Sequence, residues 1–548
     1  MNRTVRTLLG LLTIGLVALT SCKKENQEPK QNEGTTYVNV AISIPTATGL
    51  RDIIPGEGDG DEYNPKGKWN GKDAIDNITV YVVDKNSVSW DGYTKDDFDI
   101  VNASQNPDPN DKAITIKPKK AILTTPGNKK VYVVINAPQA IKDYLNKAIP
   151  NEFEKAYATA ISVITAKNAA NDAKPDGDGN DVILMTNATE PAEQTIEDGV
   201  TQKQAKDGLK NQIKVQVQRA VARVILTTTQ PEYEIVRTDG VKLGKIKNIT
   251  YAVAQGEKSF YLTQKRLNSS SSRGVVTTLG YNFIPRTDKS TGALKANVYP
   301  EMDKYYDYSD LVETAKPGQA REALVADDLN SALAIGEKSL KSSAFIFENT
   351  HKYGAYDIFN YKGGYKRANT AYVLVRATFV PNNDAFADKA KFTEPYKEGE
   401  TFYVGENGAL YRSALNVTDE KSSGAGGVEG QKYSEYTNGK VLYYAIVNPD
   451  NTEKPLNAPV YRNSIYHISV TGFKKIGMNW NPLFPEDPNT IDPNVGSKNP
   501  DPKPNNPNEP VPPIKPEDNL SPKETYMSVD VSVIPWNVHT YNIELTIP

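Results

Sequence analysis

Tyr37-Val38-Asn39-Val40-Ala41-Ile42-Ser43-Ile44 alternates side chains without a break. An extended chain with this period carries Val38, Val40, Ile42 and Ile44 on one face and Asn39, Ala41 and Ser43 on the other. Residues 36–45 therefore read as one β-strand with an apolar face to bury. Burying four such side chains is worth roughly 1.5–3 kcal/mol each, or about 6–12 kcal/mol before ordering entropy is counted. Anything that removed this strand would leave an apolar trough and an unpaired ladder edge.

Working outward, the strand sits between two processing signals. On its N-terminal side, Arg3 and Arg6 precede an apolar run over residues 8–19. That run is too short to span a bilayer and fits a secretory signal over residues 1–21. Leu19-Thr20-Ser21-Cys22 resembles a bacterial lipobox, and Cys22 is the only cysteine. Two acyl chains on one cysteine give firm anchoring where one would be marginal. Residues 23–33 are polar and read as a tether. On the C-terminal side, Leu50-Arg51-Asp52 opens a Gly-, Pro- and acid-rich loop, and Arg51 is the only arginine between Arg6 and Arg219.

Composition excludes several functions. At 548 residues the chain is too long for one small core, so two domains plus tails are expected. The 38% hydrophobic share and mean hydropathy of -0.56 predict a soluble, polar-surfaced folded part. A net charge of -3 offers no basic face for nucleic acid. One cysteine forbids an internal disulfide, so stability must come from burial and hydrogen bonds. His351, His467 and His539 lie far apart with no HExxH or CxxC spacing, so no metal is expected. No Ser/His/Asp order can be defended, and no carboxylate pair stands out among 67 acidic residues. The chain reads as non-enzymatic and free of cofactors. The 31 tyrosines against 13 phenylalanines suit half-exposed strands and contact surfaces.

Further strands are expected at 75–83, with Ile78, Val80 and Val82 on one face, and at 114–116 and 131–135. Between 139 and 168 the period changes. Ile141, Tyr144, Leu145 and Ala148 fit a helical stripe, as do Phe153, Tyr157, Ile161 and Ile164 after Pro150. Asp176 to Asp181 imitates half a calcium loop but lacks its turn glycine and its bidentate Glu, so it reads as a solvated acidic turn. Residues 213–227 read as one long strand, with the domain boundary near its start. Strands at 249–254, 260–263, 371–380, 441–447 and 466–470 suggest a second sandwich. Glu406-Asn407-Gly408 predicts a type I′ hairpin turn. Tyr305, Tyr306 and Tyr308 read as a packed loop or an adhesive patch. Gly424 to Gly430 lacks a Walker lysine and reads as a loop.

Residues 481–523 hold more than a third of the 36 prolines and read as an extended spacer at roughly 3.1 Å per residue. Two clean strands follow at the very end. Val529, Val531 and Val533 alternate with Ser528, Asp530 and Ser532. Tyr541, Ile543, Leu545 and Ile547 alternate with Asn542, Glu544 and Thr546.

Several stretches carry a family resemblance. They are Arg462-Asn463-Ser464-Ile465-Tyr466-His467-Ile468-Ser469-Val470, Gly477-Met478-Asn479-Trp480-Asn481-Pro482, Gly439-Lys440-Val441-Leu442-Tyr443-Tyr444 and Val533-Ile534-Pro535-Trp536. So do Arg367 to Arg376 and Phe402 to Tyr411. The chain is similar to the Bacteroidetes fimbrillins, the type V pilins, and most of all to shaft subunits of short fimbriae in Porphyromonas.

The resemblance implies a mainly β fold: two transthyretin-like β-sandwich domains with a few helices. It implies export as an outer-membrane lipoprotein lipidated at Cys22, then cleavage by an Arg-specific protease between Arg51 and Asp52. The expected order is 1–21 signal peptide, 22–51 lipidated propeptide and 52–212 N-terminal domain. There follow 213–480 C-terminal domain, 481–525 spacer and 526–548 donor strands. Loss of Val38, Val40, Ile42 and Ile44 would open a groove for the tail of a neighbouring copy, either 527–534, 536–547 or both. Tip and anchor fimbrial proteins and host or bacterial surface ligands would be further partners. Two other readings are a tip or anchor subunit and a surface glycan-binding lipoprotein.

Overall fold

The computed structural model describes residues 34–44, 74–101, 114–170, 182–267, 275–276, 305–326, 343–351, 365–419, 426–449, 458–481, 483, 501, 520, 527–534 and 540–543. Cys22, Arg51, Asp52, Leu545 and Ile547 lie outside them, as does the acidic turn at 176–181. Strands dominate and helices are short, as expected of a mainly β fold.

The first half is one sheet. Its members are β1 (Thr36–Ile44), β2 (Asn77–Val83), β3 (Val88–Thr94), β4 (Phe98–Val101), β5 (Ile114–Pro118), β6 (Ile122–Thr124), β7 (Gly127–Ile135), β8 (Met185–Asn187), β9 (Gln194–Ile196) and β10 (Gln212–Arg219). The order is β3-β2-β7-β8-β10-β1-β5-β4, with β6 beside β1 and β9 beside β7. The sheet folds over on itself. Ile78, Val80 and Val82 of β2 meet Val40 and Ile42 of β1 in one core, and the Ser89 hydroxyl donates to Thr124 Oγ1 at 3.1 Å across the closing edge.

Among the described residues this half carries four α-helices: α1 (Gln139–Lys147), α2 (Phe153–Ala158), α3 (Ala166–Ala169) and α4 (Gln202–Lys206). The first two bury Ile141, Leu145, Phe153 and Tyr157 as the helical period requires. They cover the outer face of β2 and β7, which is why Tyr81 and Val83 are buried as fully as Ile78 and Val80. The stripe expected to run on to Ile164 stops at Ala158. Ile161 and Ile164 are still buried, but Ile161 bridges to Phe260. The β-branched run after Ala158 disfavours helix.

The second half begins with β11 (Ala222–Thr228), β12 (Tyr233–Val236) and β13 (Lys242–Ala254). Short strands follow: β14 (Gly256–Glu257), β15 (Arg266–Leu267), β16 (Val275–Val276), β17 (Tyr306–Asp307), β18 (Leu324–Val325) and β19 (Ser343–Ile346). Then come β20 (Tyr372–Pro381), β21 (Phe402–Gly405), β22 (Leu410–Tyr411), β23 (Tyr433–Tyr436), β24 (Lys440–Ile446), β25 (Ile465–Phe473), β26 (Met527–Ile534) and β27 (Thr540–Ile543). One sheet runs β18-β11-β25-β26-β27 with β19 on β11, and another runs β12-β13-β20-β24. Val224, Leu226 and Ile468 of the first meet Val253, Val375 and Tyr443 of the second, which makes a sandwich core.

Four expectations are corrected. The single strand over 213–227 is two strands, and β10 belongs to the first sheet, paired with β1 and β8. The change of sheet comes after Arg219, at Ala220-Val221; both strands are β-branched, so hydrophobicity gives no sign of the break. Residues 260–263 form no strand; Phe260 makes one bridge and stacks on Phe347 at 4.1 Å. The 406–408 turn is not type I′, which needs positive φ at both central residues. Only Gly408 has it, at +74°, within a three-residue loop in which Gly408 N donates to Gly405 O at 2.9 Å.

The fourth concerns the spacer. Leu483, Asp501 and Leu520 are buried in the body, so the segment does not hang free as an extended leash along its whole length. Arg376 and Lys440, over 60 residues away in sequence, give Asp501 the partners its burial requires. Of the tyrosine cluster, Tyr306 and Tyr308 are buried and pack under the helix Ser309–Thr314, as in a packed loop.

Candidate functional site: the groove around the first strand

β1 is an interior strand. It runs parallel to β10, from Asn39 opposite Gln212 to Ser43 opposite Gln216. On its other side it is antiparallel to β5 and then to β6. Val38 and Ile42 are fully buried, with Val40 and Ile44 nearly so. The second face is covered as well, since Asn39 and Ala41 are also buried.

Its first residues are fixed by polar bonds. The Thr36 hydroxyl donates to Glu197 O at 2.7 Å and accepts from Val200 N at 3.1 Å. Tyr37 N donates to Val200 O at 3.1 Å. Asn211 adopts φ of 49°. Its side-chain amide donates to Tyr37 O at 3.0 Å, and its own carbonyl accepts from Asn39 N at 3.0 Å. Asn39 Nδ2 reaches Pro118 O at 3.4 Å. Asn211 and Thr36 escaped sequence reasoning, because a polar residue before a strand looks like an ordinary turn.

The tail strands lie in a different sheet from β1. β26 is antiparallel to β25, with Val533, Val531 and Val529 opposite Tyr466, Ile468 and Val470. Among the described residues β27 pairs with β26 alone, with Ile543 opposite Val529 and Tyr541 opposite Val531. Among the described residues, the two sets singled out from the sequence are thus not brought together within one chain.

Two buried ion pairs stand in the second half of the chain. Arg462 Nε donates to Glu348 Oε2 at 2.8 Å with both side chains buried. The same guanidinium donates to Leu262 O and Tyr261 O at 3.0 and 2.8 Å. Thr186 of β8 also donates to Leu262 O, so this node spans both halves. Arg219 adds a bond to Asn463 Oδ1 at 2.9 Å. In the second pair Arg376 grips Asp501 with Nε at 2.8 Å and Nη2 at 3.1 Å, and Lys440 adds a contact at 3.0 Å. Burial pushes the Asp501 carboxyl up, but the bonds and charge of Arg376 and Lys440 outweigh it and hold it below its ordinary range. His351 is buried and its imidazole pKa falls to about 4 through desolvation, although its contact with Asn369 O opposes the fall.

Among the described residues there is no group of three or more side chains fit to hold a metal. None of the described helices is long and apolar enough to cross a membrane.

Residues 434–542 match the family model for the fimbrillin C-terminal region, described as major fimbrial subunit protein type IV. That span contains β24, β25, β26 and most of β27. Over 558 aligned residues the chain is 28% identical to the minor fimbrium subunit Mfa1 of Porphyromonas gingivalis, covering 98% of each. Among solved structures, a fimbrilin from Porphyromonas gingivalis is 12% identical over 93% of this chain and 99% of that one, with a TM-score of 0.37. The tip fimbrial protein Mfa3 of Porphyromonas gingivalis is 11% identical over 80% of this chain and 96% of that one, with a TM-score of 0.30.

Proposed function

We propose that this chain, a fimbrial subunit related to the minor fimbrium subunit Mfa1, builds the shaft of a cell-surface fimbria and polymerises by protease-triggered strand exchange. The observation that carries the reading is the place of β1. It lies between two ladders with its apolar face buried, yet it is covalently continuous with the body only through the segment of sequence that contains Arg51. A cut between Arg51 and Asp52 converts the strand into a separate peptide held by ladder bonds and packing alone. Residues 22–51 then leave with the lipid on Cys22, and the slot between β10 and β5 opens.

The occupant that restores burial is the tail of a second copy. Both tail segments alternate β-branched or apolar residues as β1 does. Main-chain pairing supplies affinity and the alternating pockets supply register. Groove and donor lie in different sheets of one subunit, so the contact is head-to-tail and propagates without closing. Burial before and after exchange is similar, so no cofactor or nucleotide is required, and the cut supplies irreversibility. Tip and anchor subunits would terminate such a filament, whose surface would meet host or bacterial ligands.

Deleting residues 526–548 should yield exported, cleaved monomers that never form a heat-sensitive ladder on an SDS gel. Normal fibres from that truncation would refute the donor assignment. Arg51→Ala should leave a lipidated precursor outside the polymer. Sequencing heated monomer from assembled fibres should give a start at Asp52, and a start at an acylated Cys22 would overturn the whole scheme.

A further inference from the structure

On the outer face of the first sheet, Ala41 stands between two lysines. Lys214 of β10 is its direct cross-strand neighbour. On the other side, carrying the antiparallel register one residue past Ile42 opposite Ile116 sets Lys117 of β5 opposite Ala41. Both lysines are exposed. Neither has an ion pair among the described residues. The carboxylate across from Lys117, Asp99 of β4, contacts Lys119 instead at 3.3 Å. The strand thus sets a neutral methyl group where two positive charges meet, about two strand spacings or roughly 9.5 Å apart. Like charges so placed favour an acid between them.

The tail carries that acid. Tyr541-Asn542-Ile543-Glu544-Leu545-Thr546-Ile547-Pro548 reads in the same direction against Val38-Asn39-Val40-Ala41-Ile42-Ser43-Ile44-Pro45. In this register four apolar residues take the four inward positions. Asn542 falls on Asn39, whose amide reaches Pro118 O, and Ile547-Pro548 falls on Ile44-Pro45. Glu544 falls on Ala41. The preceding tail segment, in the register that puts Val529 on Val40, would place Asp530 there. That segment, however, is paired on both sides, by β25 and β27, whereas β27 is paired on one side among the described residues.

We propose that Lys117 and Lys214 are specificity-determining residues of the groove, and that they select the tail of a second copy by reading Glu544 between them. The proposal rests on the strand-exchange reading above. It adds a preference for the incoming strand over the one it replaces, since Ala41 draws nothing from the two charges and Glu544 draws on both. Asn542 repeats the contact of Asn39, which fixes the donor's direction and register.

The test uses the full-length precursor, cut with an arginine-specific protease, with the rate of ladder formation read on unheated SDS gels. The double variant Lys117→Gln, Lys214→Gln should fold with no loss of thermal stability before cleavage and then assemble at least fivefold more slowly at low salt. That difference should shrink from about 10 mM to about 1 M salt, as the screening length falls from roughly 30 to 3 Å. Glu544→Gln should show the same slowing, and Glu544→Lys should restore assembly to Lys117→Glu, Lys214→Glu. Slowing by Asp530→Asn but not by Glu544→Gln would overturn the Glu544 assignment. If neither lysine nor acid matters while the 526–548 truncation still fails to assemble, the lysine reading is wrong and strand exchange survives. Assembly of the truncation would remove the premise itself.

Discussion

The Arg462 guanidinium shows why a buried charge is never legible alone. Its partner Glu348 lies 114 residues away, and the backbone carbonyls of Tyr261 and Leu262 complete its shell. Removing one partner from a fully buried pair leaves an uncompensated charge. Glu348→Ala should therefore cost about 3–5 kcal/mol in urea unfolding, well above the 0–1 kcal/mol expected of an exposed pair such as Lys245 with Glu232. His351 gives a pH-dependent counterpart. Burial lowers its folded pKa to about 4, below the unfolded value near 6.5, so on acidification the unfolded chain takes up the proton first. Its contribution is complete above about pH 6.5 and is lost as pH falls toward 4, by an amount on the order of 3 kcal/mol. His351→Gln should flatten that part of a pH series of urea midpoints, and an unchanged slope would count against it. The motif at 462–470 was readable as a family signature. That Arg462 ties the two halves together, and that Asn463 turns the chain at φ of 60°, was not.

Elements divide into those whose own residues specify them and those decided by neighbours. β1, β2, β7, β20, β24 and β25 follow from alternation or from β-branched runs. α1 and α2 follow from a stripe at the helical period. β3, β4, β6, β8 and β9 are short or polar, and they exist because a long neighbour offers unpaired backbone groups. The spacer shows the same dependence. Its prolines forbid a sheet, which is why it reads as a free tether, yet one aspartate finds Arg376 and Lys440 in a buried site. Asp501→Ala should loosen that attachment. Limited digestion with a lysine-specific protease should then cut faster at Lys498 and Lys503, with β20 and β24 left intact. Equal cutting rates would show that the ion pair does not hold the segment.

At the scale of the molecule, β1 and the described tail strands belong to different sheets of one subunit, so under the proposed exchange each subunit would be complete before cleavage and deficient after it. The truncation lacking 526–548 isolates that step. Once cut at Arg51 it should unfold at lower urea than the uncut truncation, because β1 is then held by packing and ladder bonds that denaturant can dissociate. Its four inward side chains set an upper scale of about 6–12 kcal/mol. The residues alone determined the mainly β class, the burial of Val38, Val40, Ile42 and Ile44, the presence of strands in the tail and the likeness to fimbrillins. These follow from local period and from motif, which need no knowledge of neighbours. Tertiary structure alone decided that β1 is an interior strand buried on both faces, that the sheet changes at Ala220-Val221, that Asp501 is captured, and that Ala41 lies between Lys117 and Lys214. Each of these depends on residues distant in sequence meeting in space, and no stretch of the chain encodes its partner's address.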